Sequence, residues 1–190
     1  MRFPQRTSRK FAAIAMLAML AIGPAWGQAK DYTKIRGYVD KQGFSDLAGE
    51  NDVQIEVWLP GSLLKIAGAI DPDLGELVSG LELAQAVVVE TDDAAKSRRL
   101  VERMRSIESG LLKKGWVRLA KIKDGGEQVS VLILNDDESI SGLTVMVSES
   151  GSSGSFVLAN VAGRIDLEAI QRLGEQMDIP GLDQLELEEP

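Results

Sequence analysis

The stretch LAQAVVVETDDAAKSRRLVERMRSIESGLLKKGWVRLAKIKDGGEQVSVLIL, Leu83 to Leu134, decides how the chain folds. It opens on Ala86-Val87-Val88-Val89-Glu90, a β-branched run suited to a pleated surface. Thr91, Asp92 and Asp93 follow with side-chain oxygens that accept from the first amides of a helix. Leu100, Met104, Ile107 and Leu111 then recur at the spacing that places them on one face of a 3.6-residue period. Lys113 and Lys114 set cations at the negative end of the dipole, and Gly115 is free to take a positive φ, so the helix ends there. Trp116 to Ile122 is extended, Asp124-Gly125-Gly126 turns the chain, and Gln128 to Leu134 returns. The order is strand, helix, strand, turn, strand. Lys121 interrupts the alternation of the strand at 116–122 and makes it the least regular of the set.

Upstream, Val53, Ile55 and Val57 alternate with Gln54, Glu56 and Trp58, the period of a half-buried strand. Leu59-Pro60-Gly61 closes it. Ser62 to Ile70 is helical until Asp71-Pro72, because the residue before a proline is driven out of the helical region. Asp73 to Leu81 reads as a second short helix, the pair forming a crossover to the strand at 83–90. Lys30 to Glu50 is polar with Tyr32, Ile35, Tyr38, Val39, Phe44 and Leu47 scattered through it; it is either a short amphipathic segment packed on the domain or a partly disordered lead-in.

Downstream, Val129, Val131 and Ile133 share one face of their strand. Past Asn135-Asp136-Asp137-Glu138-Ser139, so do Leu143, Val145 and Val147. Gly151 to Ser155 is a flexible turn, and Phe156 to Val161 returns to complete an antiparallel meander with the strands before it. Gly163-Arg164-Ile165-Asp166 caps a closing helix with Leu167, Ile170, Leu173 and Met177 on one face. The whole is a single α+β domain over residues 51–177, an antiparallel (mixed) sheet of about five to six strands with helices packed on one face. A lead-in at 28–50 precedes it, and an acidic tail at 178–190 follows.

Arg2, Arg6, Arg9 and Lys10 precede the apolar run Phe11 to Ile22, and Gly23-Pro24-Ala25-Trp26-Gly27 sets small residues, Ala25 and Gly27, where a signal peptidase reads. A secretory signal cleaved after Gly27 is expected, since the run is short of the roughly twenty residues a membrane span needs. The expected location is the periplasm or beyond, in a bacterial envelope, with no transmembrane span after signal removal. The chain holds no cysteine, so it has neither a lipoprotein-type lipid anchor nor disulfides and must rely on a packed core.

Residues 28–190 carry 17 basic and 29 acidic residues, which argues against nucleic acid as a partner. The segment Lys96 to Lys123 departs from that balance, with ten basic residues against two acidic ones. Lys96, Arg98, Arg99, Arg103 and Arg105 crowd the helix with only Glu102 among them. A face of this kind suits an anionic partner, an envelope protein or an anionic lipid surface; the plainer reading is a solvated face that pairs with the acidic rest of its own domain.

No histidine is present, which removes imidazole acid–base chemistry and histidine zinc sites; the lack of cysteine removes thiol nucleophiles and thiolate metal sites. Ser62-Leu63-Leu64-Lys65 matches Ser-x-x-Lys without the partner motifs of an acyl-transfer enzyme. Asn135-Asp136-Asp137-Glu138 gathers oxygen ligands of the kind calcium takes, without the spacing of a calcium loop. No cofactor is expected, no metal ligand is assigned and no catalytic residue is singled out. The leading function is a non-catalytic binding or interaction module. The alternatives are a small hydrolase using carboxylates or the Ser62–Lys65 pair, and a homo-oligomeric structural element.

Three pieces carry a resemblance: Val53 to Leu64, Gly115-Trp116 opening a strand, and Ser141-Gly142-Leu143 through Val161-Ala162-Gly163-Arg164-Ile165-Asp166. Together they are similar to a family of exported bacterial proteins catalogued as domain of unknown function 4252, over about residues 50 to 175. The resemblance implies a small envelope domain of mixed α and β structure, with no activity or catalytic residue to carry over.

Overall fold

The computed structural model describes residues 30–49, 52–70, 75, 78–136, 139–149 and 154–165. Six strands form one antiparallel sheet: β1 (Val53–Pro60), β2 (Leu81–Thr91), β3 (Val117–Asp124), β4 (Glu127–Asp136), β5 (Ser139–Glu149) and β6 (Gly154–Ile165). Their spatial order is β1-β2-β6-β5-β4-β3. The helices described in full are α1 (Gln42–Ser45), α2 (Gly61–Ile70) and α3 (Ala94–Lys113), with a 3-10 turn at Tyr32–Lys34. The expected meander is present as β3 to β6, and the two-residue turn Gly125–Gly126 closes its first hairpin with positive φ at both positions.

Two features depart from the sequence reading. β1 and β2 are antiparallel neighbours, with Val53 opposite Glu90 and Pro60 opposite Leu83, so the segment between them links a hairpin and is not a crossover. The crossover is α3, which carries the chain from β2, second in the sheet, to β3 at the far edge. Of the expected helix at 73–81, residues 73, 74, 76 and 77 lie outside the described residues; Gly75 and Val78 are helical, 79–80 form a turn and Leu81 already belongs to β2. In the same way β6 absorbs Gly154 and Ser155 and runs on through Ile165, so Gly163-Arg164-Ile165 is strand rather than helix cap. The Arg164 amide donates to the Gly80 carbonyl and holds that end against the start of β2. The rest of the expected closing helix and the tail, like residues 1–29, lie outside the described residues.

Alternation along the strands gives the sheet two faces. On the first face Val87, Val89, Leu132, Met146, Phe156 and Leu158 pack beneath Leu100, Met104 and Leu111 of α3. The segment 30–49 takes the packed of its two readings: Phe44 and Val39 join this core, and Ile35 packs on Leu83 and Ala162. Asn160, fully buried in β6, fixes that segment. Its Oδ1 accepts from the Val39 amide and from Gln85 Nε2, and its Nδ2 donates to the Gly37 carbonyl. Gly37 has φ +86 and lies so close to the Ser141 carbonyl that any Cβ would collide with it.

The second face is built differently. Cross-strand partners form three rows of six. One row is Ile55, Val88, Val157, Val147, Val129 and Ile122; the next is Val57, Ala86, Ala159, Val145, Val131 and Ala120. The third is Leu59, Ala84, Val161, Leu143, Ile133 and Val117. Every residue in them is apolar. The valine sets read separately from β4 and β5 therefore share one sheet face, directly opposite each other.

Candidate functional site

The cationic helix is built by local chemistry at both ends. Asp93 is its N-cap, and Asp93 Oδ1 accepts from the Ala95 and Lys96 amides. At the other end the Trp116 amide donates to the Leu111 carbonyl and the Gly115 amide to the Leu112 carbonyl, with Gly115 at φ +88. This pair of bonds is the Schellman closure that the Lys-Lys-Gly signal announces. The inward stripe holds Leu100, Met104 and Leu111, but also Ser97 and Glu108.

The five basic residues do not form one patch. Lys96 turns inward and its Nζ meets Asp52 Oδ2 at 2.6 Å. That contact, with the Gly49 amide, lowers the Asp52 carboxyl to about 2. Arg103 is half-buried against Gly43 of α1, and its Nε is buried without a hydrogen-bond partner. Arg98, Arg99 and Arg105 remain exposed and make no ion pair among the described residues. Arg105 lines an open groove of about 320 Å³ between α3 and the β3–β4 hairpin, opposite Lys123. Asp124 and Glu127 line the same groove and cancel its charge, so the groove itself has no preference for an anion.

A second constellation was not visible in the sequence. Glu108 is buried between α3 and the β3 edge; it accepts from Arg118 Nε at 2.9 Å and from Ser130 Oγ at 3.1 Å, with Lys121 Nζ at 3.4 Å. Burial pushes the pKa of this carboxyl up, but Ser130, Lys121 and Arg118 outweigh burial and hold it below the ordinary value. The register shift between Arg118 and Ala120 explains both the cluster and the interrupted alternation of β3. One extra residue there brings Arg118 and Lys121 to the same face, opposite Leu132 and Ser130. The signal was present as Lys121 breaking the pattern; the partner, a glutamate on an apolar helix face, was not readable as such.

Other sequence candidates do not assemble. Ser62 and Lys65 are both exposed on α2, with no hydrogen bond between them among the described residues. Asp136 pairs with Arg36 at 2.9 Å, and Arg36 also donates to the Asn135 carbonyl; Asp137 and Glu138 lie outside the described residues. Among the described residues no three acidic groups come together as metal ligands. Ala25 and Gly27 also lie outside them. No helix among the described residues is long and apolar enough to cross a membrane.

An antiparallel six-stranded sheet with a cationic helix across one face defines a small α+β domain. The family model described as Domain of unknown function (DUF4252) matches residues 44–173, and the chain belongs to that family. The match opens at Phe44, the wholly buried residue of α1. No curated protein matches the chain.

Proposed function

We propose that this protein is a non-catalytic binding module of the bacterial envelope and that it engages an anionic protein surface through the outer face of α3. The observation that carries the reading is the split of the basic residues. Lys96 is paired within the domain, whereas Arg98, Arg99 and Arg105 stand exposed without an ion pair among the described residues, in a chain of net charge −8. Exposed like charges on a rigid helix, set against an acidic remainder, steer association with an oppositely charged surface. The signal-like residues 1–27 support export.

The test is crosslinking of the protein in its native cells with Arg98→Glu and Arg99→Glu installed together. Both residues are exposed, so the fold tolerates the change, whereas reversal at half-buried Arg103 would disturb the packing around α1. A defined partner captured by the parent chain and lost from the variant supports the module. Equal capture by both removes α3 as its site.

A further inference from the structure

The two edges of the sheet carry opposite chemistry. Among the described residues β1 pairs only with β2 and β3 only with β4, so each edge leaves a row of backbone amides and carbonyls without a strand partner. Residues 54–56 and 121–123 are exposed whichever face they lie on, and Ile55 and Ile122, the two ends of one apolar row, are each 48% exposed. β3 carries Arg118, Lys121 and Lys123 against Asp124 alone, whereas β1 carries Glu56 and no cation.

Register fixes which groups each edge offers. Asp124 and Glu127 flank the two-residue turn Gly125–Gly126. In such a hairpin the closing pair exchanges hydrogen bonds, so the alternation of the ladder turns the backbone groups of Lys121 and Lys123 away from β4. Carried strand by strand across the sheet, the same alternation turns those of Gln54, Glu56 and Trp58 away from β2. Pro60, which has no amide hydrogen, falls in that outward set, where an edge tolerates it. With six strands all antiparallel, a copy set beside β3 in the same orientation presents its β1 antiparallel to it. Glu56 then stands opposite Lys121, Gln54 opposite Lys123, Ile55 opposite Ile122 and Val57 opposite Ala120, and two apolar rows run on from one copy into the next. Glu56 is held by Lys41 at 2.7 Å yet keeps 41% of its side chain exposed, and Lys121 keeps 32%. Two β3 edges do not fit each other, because antiparallel pairing about Ile122 sets Lys121 against Lys123 and like charges directly opposite destabilise a strand pair.

We propose that β1 of one copy adds to β3 of another, with Glu56 opposite Lys121 and Ile55 opposite Ile122, so that a second copy of this chain continues the sheet. The contact is short, ended by the bulge between Arg118 and Ala120, and it joins two different edges, so it repeats from copy to copy rather than closing as a twofold dimer. It uses neither Arg98 nor Arg99 and stands apart from the role proposed for α3.

Within one chain Ile55 and Ile122 lie on opposite edges, about 24 Å apart at the usual strand spacing, too far for a disulfide. The chain has no cysteine, so engineered ones pair unambiguously. An Ile55→Cys chain mixed with an Ile122→Cys chain under mild oxidation is expected to give about tenfold more mixed disulfide dimer than Ile55→Cys mixed with Val117→Cys, which stands out of register with it. Equal yields from the two mixtures overturn the proposal, and so do products that mainly link two chains of the same variant. Lys123→Pro removes an outward amide and leaves the β4 ladder intact, whereas Lys123→Ala keeps that amide. Sedimentation at rising concentration is expected to show self-association in the parent and the alanine variant and its loss in the proline variant. A parent that stays monomeric at every concentration overturns the proposal, as does equal association of all three.

Discussion

The two faces of the sheet invert the usual link between composition and burial. The first face mixes Gln85, Thr144, Asn160 and Ser130 with leucine, methionine and phenylalanine, yet these residues are nearly all removed from water. The second face is wholly apolar in its three rows, yet its rim residues stand about half exposed. The difference teaches that burial here follows what a face is paired with. Polar side chains are carried inward on the first face because each has a partner there: Asn160 and Gln85 hold the segment around Val39, and Ser130 binds Glu108.

Adjacent residues on β6 give the sharpest test of that contrast, because they sit on opposite faces of one strand. Phe156→Ala on the first face should cost about 3–5 kcal/mol, the range for a fully buried aromatic. Val157→Ala beside it should cost about 1 kcal/mol, since only part of its two lost methyl groups leaves a dry environment. Urea unfolding of both variants measures this; equal losses would mean that the second face is as tightly packed as the first. Asn160→Leu comes next at about 2–4 kcal/mol, because the Val39 amide and the Gly37 carbonyl lose their partner in a dry site. Faster hydrogen exchange at Tyr38 and Val39, ahead of the strand amides, identifies loss of the latch rather than of the whole fold.

Smaller effects come from the ionic contacts at the borders of the first face. The Asp52 carboxyl is lowered from 3.8 to about 2 by Lys96, so its contribution is complete above about pH 4 and disappears as pH falls toward 2. Its size is on the order of 1–2 kcal/mol, reduced from the full shift because Lys96 keeps part of its side chain in water. Asp52→Asn should flatten that part of the acid limb in a stability–pH series. Glu108 is also held below its ordinary value and acts with the same sign; Glu108→Gln should steepen nothing above neutral pH and remove a further part of the acid loss. The smallest effect is expected at Arg98→Ala and Arg99→Ala, within about 0.5 kcal/mol, as for exposed residues without partners. A larger loss would show that these arginines support the fold.

Much of the fold was legible because its signals are local. The Asp93 cap, the Leu100–Met104–Leu111 stripe and the Lys-Lys-Gly stop define α3 from neighbours only a turn apart, and the structure places the helix at Ala94–Lys113. The hairpin at Asp124–Glu127 was legible for the same reason. The pairing of β1 with β2 was not, because a connection of this length is compatible with either direction until the partner strand is known. Nor was the separation of the basic residues. Charges within ten positions of one another on a helix look like one patch in a sequence, whereas Asp52 and Gly43 claim Lys96 and Arg103 from distant parts of the chain.

The sequence by itself determined the strands and their periods, both ends of α3, and the exclusion of histidine and cysteine chemistry, since each depends on residue type and near neighbours. Only the tertiary structure decided that the valine sets form one continuous face, that Arg118 and Lys121 converge on Glu108, and that of the five basic residues at 96–105 Arg98, Arg99 and Arg105 are the ones exposed. Register, bulges and cross-chain partners are properties of pairs far apart along the chain, and no local pattern encodes which of two faces the rest of the molecule will cover.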